Sequence, residues 1–495
     1  MYLGGFWVDI TGDVRNSSPV VWKRGRASTD VDDLTANTGT LSFVLDNSQA
    51  NSGAKLGYYS YGHADCRAGF GPGALTRLSI TYGGTTYYEF YGKILSCPAL
   101  PGIYGDRSTS VTCVDYINEF STHNLSGLDV QVNQRGDQLL TTIIGLMTTA
   151  PLHTSFATGL ETFPYALHDC VDGKTSALNA VQRVNQSGLS YLYVQGNTTD
   201  GETLHWDSRH SIIGRASAAT INTMLDLKTE TSMDDIKNII HVTSHPSEVG
   251  TSPEVVASLQ GEITIQPGQT LDAITYRFRD PSGKKTTVAI VPDSGVAPVA
   301  DTDYKMSKNS GDGGNNLNGD LSITVTWHGS TADVVFKNSG TAVGYINKFN
   351  LRALIIRNYD SAETISQDAT SKTNYGDRDL NLDLPYQSDP NVAVDFADMV
   401  LDENKDPHSR LKSITFTANQ DDTLMAAALT LDVNNVITIT ETQTGISADY
   451  LIGGIEGSIE YNKLTLELTA LMPSQRGNWF QLDVTQLDDV YFLGV

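Results

Sequence analysis

At 495 residues the chain exceeds what one hydrophobic core supports, and it divides into three to four domains at the usual domain size. A hydrophobic share of 39% and a mean hydropathy of -0.22 describe a folded globular protein rather than a disordered one. The net charge of -24 repels a phosphate backbone, so sequence-independent binding to nucleic acid is excluded.

Only 18% of residues are charged, whereas Thr, Ser, Val, Ile and 22 Tyr are plentiful, a balance that favours strands. The first residues, Met1 to Val14, include Asp9 and lack a basic segment followed by a long apolar one, so no secretory signal is expected. No run of about 18 apolar residues occurs, so no stable membrane insertion is expected. Cys66, Cys97, Cys113 and Cys170 form neither a CxxC pair nor a zinc-like Cys/His spacing, and reduced structural thiols are expected.

Residues 1–115 read as a β-barrel domain. Leu41–Leu45 alternates up to the turn Asp46-Asn47-Ser48, and Arg77–Tyr82 and Thr85–Phe90 flank Gly83-Gly84, a hairpin signal because both turn positions accept positive φ. Thr109 to Val114 adds another strand. Residues 116–208 read as an α+β domain. Asp137 to Met147 has helical spacing with Asp137 as N-cap, and Thr175 to Val184 is a second amphipathic helix stopping near Gly188. Ser190–Val194 and Thr203–Trp206 then form a hairpin across the loop from Gly196 to Gly201.

Residues 209–254 hold a short helix with Ser232 and Asp235 as a weak capping box, a strand over Ile239–Thr243, and a linker from His245 to Pro253. Residues 255–358 carry about seven short strands, the size of an immunoglobulin-like β-sandwich, with Lys308 to Asn318 as its longest loop. Residues 359–495 contain a helix over Asn391 to Asp402 with Val394, Ala397 and Leu401 on its apolar face, then strands at Leu411–Phe416, Val436–Thr440, Tyr450–Ile455 and Leu464–Leu468. The fold class is mainly β: two hub-type β-barrel domains, an α+β middle domain and an inserted sandwich.

Chemistry-bearing patterns are weak throughout. His241 and His245 stand four apart on a strand, about 13 Å at strand rise, too far to share a metal. Asp207-Ser208-Arg209-His210 lacks a GxSxG elbow and reads as a polar loop. Asp402 to Asp406 resembles the start of a calcium loop, but Pro407 stands where glycine is needed and Ser413 where glutamate is needed. Gly311-Asp312-Gly313-Gly314 lacks the lysine of a phosphate-binding loop. Trp327, Tyr345 and Trp479 read as packing residues before they read as a sugar platform. No catalytic residue, cofactor or metal ligand is assigned.

An ordered series of short motifs resembles the siphophage baseplate-hub and minor tail proteins, whose fold is similar to the hubs of contractile tails. The series begins with Asp9 to Val14, Lys23-Arg24-Gly25-Arg26 and Gly39 to Asn47. It continues with Tyr82 to Tyr87, Phe90 to Ile94, and Val111 to Asp115. Asn374 to Pro385, Pro407 to Ile414 and Leu429 to Thr440 complete it, with Asn434-Asn435 replacing the family's Gly-Asp. The resemblance implies a homotrimer in which two barrels per subunit form a pseudo-sixfold ring between a hexameric tail tube and a threefold tip. It implies a virion tail-tip location after assembly in the host cytoplasm, with distal tail, tail-tube, tape-measure and tip or fibre proteins as partners and DNA only as passing cargo. A second reading, from a different class, is a host-adhesion protein whose 255–358 sandwich binds a surface glycan.

Overall fold

The computed structural model describes residues 1–26, 28–30, 33–101, 107–125, 128–168, 170, 174–212, 214–280, 287–311, 314–407, 410–473, 479–480 and 492–493. Asp312, Gly313, His408, Ser409 and the Trp479 side chain, which figured in the sequence reading, lie outside the described residues.

The two ends of the chain share one antiparallel sheet of ten strands. Along it lie Asp226–Glu230, Arg410–Thr417, Lys463–Thr469, Gly454–Glu460, Val20–Gly25, Asn37–Asp46, Ser108–Val114, Thr85–Ser96 and Leu75–Tyr82, with Ala99–Leu100 beside Ser108–Val114. The strands expected in two separate barrels therefore meet where Val20–Gly25 pairs with Gly454–Glu460, with Trp22 opposite Gly457. Alternation creates the inner face: in Asn37–Asp46, Leu41, Phe43 and Leu45 are buried while their neighbours are not. The turn at Gly83-Gly84 has φ of 58° and 81°, as the glycine pair requires. A second sheet, Ser217–Ile221 parallel to Val436–Glu441 and then Ile446–Leu451 and Met472–Pro473, closes the C-terminal arm. One core joins both arms, from Trp22, Phe43 and Val111 to Phe416, Ile437 and Leu466.

The middle region packs helices Gly136–Gly145 and Ala177–Gly188 against the hairpin Tyr191–Gln195 and Thr203–Asp207. Ser176 caps the second helix through Asn179 N, and Leu189 ends it in the left-handed region. The N-cap of the first helix is Arg135, two residues before the expected Asp137. Gln138 Oε1 accepts the Arg135 N–H at 2.9 Å, and Asp137 pairs with Arg135 and accepts the Gly159 N–H instead of capping.

Ile239–Ser244 lies between Ala362–Gln367, antiparallel, and Asp379–Leu384, parallel. Helix Pro390–Asn404 covers this small sheet with Ala393, Phe396, Ala397 and Val400, and Leu401 packs beside them, whereas Val394, expected on the same face, is exposed. The segment between Ser244 and Ala362, which holds the expected sandwich, joins two paired strands, since Ser244 stands opposite Ala362. Its two layers meet in one core, with Tyr276, Val334 and Phe336 from one and Ile265, Ile346 and Leu351 from the other. Within the expected linker, Ser247–Val249 is a strand pairing with Ile355–Asn358. The capping box at Ser232 shrinks to one 3-10 turn, Met233–Asp235, capped through Asp234 N rather than Asp235. Helix Asp422–Thr430, capped by Asp421, had no counterpart among the expected elements.

Candidate functional site

The densest polar structure lies where the middle hairpin meets both arms of the long sheet. Arg24 occupies the same strand as Trp22, two residues on, so it points into the interior, and its side chain is 2% exposed. Its Nη1 stands 3.0 Å from Asp432 Oδ2 and its Nη2 3.4 Å from Glu89 Oε2. Asp432 follows helix Asp422–Thr430 and also accepts the Gly196 N–H at 2.9 Å, which ties the hairpin to the C-terminal arm. Asp115, at the end of Ser108–Val114, and Glu202, in the hairpin loop, are buried nearby.

Burial dominates the titration of these acids. It pushes Glu89 up to about 8 against the pull of Arg24, Asp115 to about 7 against hydrogen bonds from backbone, and Glu202 to about 8 with Asp115 adding repulsion. Asp432 is raised by burial too, with Arg24 opposing.

Further contacts complete the joint. Burial alone would raise Asp207, but hydrogen bonds from Arg215, Tyr193 and Asn434 hold it below the usual carboxylate range. Asn434 has φ of 67°, a left-handed conformation that asparagine tolerates. The Arg26 guanidinium stacks on the Tyr191 ring at 3.8 Å, and Arg26 N–H donates to Gly453 O at 2.8 Å. Gln195 Nε2 donates to Val433 O at 2.6 Å. Asn185 donates to Leu34 O at 3.0 Å and Thr35 Oγ1 at 2.9 Å, and accepts the Trp206 indole N–H at 2.9 Å. This geometry fixes three chain regions against one another.

The residues weighed for chemistry are dispersed. Asp207 belongs to the joint, Arg209 pairs with Glu161 and His210, and the cleft beside them, lined by Gly136, Trp206 and Ser208, has about 20 Å³, room for one water. His241 lies 3.0 Å from Glu363 and His245 2.7 Å from Asp383, each on a different carboxylate. Asp402 pairs with Lys405 at the helix end. Trp327 and Tyr345 are half-buried, Trp327 beside Phe278. Cys66 and Cys97 are half-buried free thiols, Cys113 is a buried one, and Cys170 is buried with its Sγ 3.8 Å from the Tyr386 hydroxyl. Among the described residues, no three His, Cys, Asp or Glu side chains gather into a metal-holding group. Among them, too, no helix is long and apolar enough to cross a membrane.

The joint was not read from the sequence. Its signal was charged residues at inward positions of alternating strands, as with Arg24 two residues from Trp22.

No family model matches the chain, and no curated protein matches it. Among solved structures, the 43 kDa tail protein of prophage MuSo2 from Shewanella oneidensis aligns at 8% identity over 96% of this chain and 97% of that one, with a TM-score of 0.46. A tail protein from Neisseria meningitidis MC58 aligns at 10% identity over 95% and 94%, with a TM-score of 0.46. Prophage tail protein gp18 from Listeria monocytogenes EGD-e aligns at 8% identity over 93% and 90%, with a TM-score of 0.38. These three solved structures are tail proteins, two of them of prophages, and each aligns along nearly the whole of this chain.

Proposed function

We propose that this chain is a structural hub of a phage tail tip, a homotrimer whose paired arms form a ring between the tail tube and the tip or fibre proteins. The observation that carries the reading is the ten-stranded sheet, which welds the first and last parts of the chain into one body. The motif series that suggested a hub falls at both ends of the chain, the same two regions. The sheet leaves Leu75–Tyr82 and Asp226–Glu230 at its two edges, and packing against neighbouring subunits is one way to protect such edges. An acidic surface suits a wall past which DNA slides without sticking. The domain scheme of two barrels, an α+β middle and an inserted immunoglobulin-like sandwich belongs to the same proposal.

The adhesion reading has less behind it: Tyr276, Phe278, Phe336 and Phe349 are in the core of the sandwich, which leaves them unable to stack on a sugar, and Trp327 and Tyr345 are half-buried. Native mass spectrometry of the purified chain, with electron microscopy of the same sample, tests the hub. A trimer mass and ring-shaped particles are expected. A monomer at every concentration, absent from purified virion tails, would overturn it.

A further inference from the structure

We infer that the joint between the middle hairpin and the two arms is a proton-loaded latch, because its four buried carboxyls outnumber the one guanidinium among them and the closed joint must hold protons that an opened joint releases. The idea goes beyond the hub assignment and concerns a single subunit.

The inventory covers every element that meets there. Val20–Gly25 brings Arg24, while Arg26 just beyond it turns to the Tyr191 ring and to Met472 Sδ. Thr85–Ser96 brings Glu89, Tyr91 and Lys93, with Lys93 paired to Glu119 of the short helix Ile117–Thr122. Asp115 and Tyr116 precede that helix. The hairpin loop brings Glu202, and Asp200 with His153 at 2.9 Å. The segment after helix Asp422–Thr430 brings Asp432. Asp207 and Arg215 sit to one side as a matched pair. At the centre, Glu89, Asp115 and Glu202 are buried, the Asp432 side chain is 13% exposed, and Arg24 lies within 4 Å of Glu89 and Asp432. One guanidinium balances one carboxylate, and unpaired buried carboxylates neutralise instead.

The direction of the pH effect follows. Burial raises Glu89 and Glu202 to about 8 and Asp115 to about 7, whereas water returns each toward the ordinary value near 4. The closed joint is thus fully favoured below about pH 4, and it loses its advantage progressively as pH rises toward 8. Each carboxyl that is protonated when closed and ionised when open multiplies the opening constant by about tenfold per pH unit between those limits. Opening at neutral pH would also be self-reinforcing, since water entry ionises the acids and their mutual repulsion keeps the parts separated.

The test is hydrogen exchange on the full chain from pH 6 to pH 8, corrected for the intrinsic rate. The amides to follow are Gly196, bonded to Asp432, Tyr88, bonded to Asn197 O, and Ala36, bonded to Leu192 O. Their protection should fall by about tenfold or more per pH unit, while the amide of Leu271, bonded to Phe336 O within the sandwich, stays level. Glu202→Gln should lower that slope by close to one proton. Flat protection at all three joint amides, or an unchanged slope in both Glu202→Gln and Glu89→Gln, would overturn the latch. Should both variants misfold, the infrared spectrum of the native chain decides: protonated carboxyl bands at pH 7 that vanish with added base are expected, and their absence at pH 7 overturns it. None of these readouts needs a trimer, so they fail or succeed apart from the hub proposal.

Discussion

Gly457→Ala should damage the seam between the two arms out of proportion to the methyl group it adds. Gly457 stands opposite Trp22 in the pairing of Gly454–Glu460 with Val20–Gly25. A Cβ placed there would lie 2.0 Å from Trp22 Cζ2 and 2.2 Å from Cε2, whereas carbon atoms rest at about 3.5–4.0 Å. The indole would have to retreat by roughly 1.5 Å, and it is rigid, 1% exposed and enclosed by the shared core. Overpacking of this kind costs about 1–3 kcal/mol, and the depth of the clash places this case near 3 kcal/mol. Trp22→Leu alone should cost a comparable amount or more by leaving a cavity. Combined with Gly457→Ala it should cost less than the sum, because the methyl then occupies vacated space, with a coupling of about 1–2 kcal/mol. Urea unfolding followed by circular dichroism measures all four forms of the cycle. A Gly457→Ala protein within about 0.5 kcal/mol of the parent, or a strictly additive double variant, would refute the reasoning.

Two further outcomes follow from the joint and the insertion. Arg24→Met strips the cation from Glu89 and Asp432 while keeping the apolar stem, and should destabilise the chain by about 3–5 kcal/mol in urea unfolding; no change would mean the pair contributes nothing to stability. Replacing residues 246–360 with Asn-Gly should leave the remainder folded, because Ser244 and Ala362 already face each other across two antiparallel strands. Newly exposed Tyr165, which packs on Ile356, should cost about 2 kcal/mol, and loss of the near-ultraviolet spectrum would count against an independent insertion.

Much of the strand content was legible because alternation survives wherever one face is buried. Leu41–Leu45, the Gly83-Gly84 hairpin and the pair Tyr191–Gln195 and Thr203–Asp207 all fall where the pattern places them. The helix Ala177–Gly188 was legible for the same kind of reason, with a 3.6-residue stripe and a glycine at its end. Helix Asp422–Thr430 was not, since Ala426, Ala427 and Ala428 give a stripe too uniform to reveal a face. On Pro390–Asn404 the expected Ala397 and Leu401 do meet the core, and only Val394 was misassigned, because the smaller Ala393 is what fits against the sheet. The pairing of Val20–Gly25 with Gly454–Glu460 had no local signal at all. The Arg24 cluster offered only the inward position of Arg24 as a signal, because its members come from strand, loop and helix end across most of the chain.

That same pairing sets a schedule for synthesis. Val20 bonds beside Ile459, roughly 440 residues away, and at about 5–20 residues per second that partner emerges some 20–90 s later. For that interval Val20–Gly25 is an edge strand, with Trp22 lacking half of its packing, and Arg24 has Glu89 but not Asp432. Premature pairing between nascent chains is the hazard such an edge carries. Lys23, which in the finished sheet meets Glu456 at 2.6 Å, puts a charge on that edge while the strand waits.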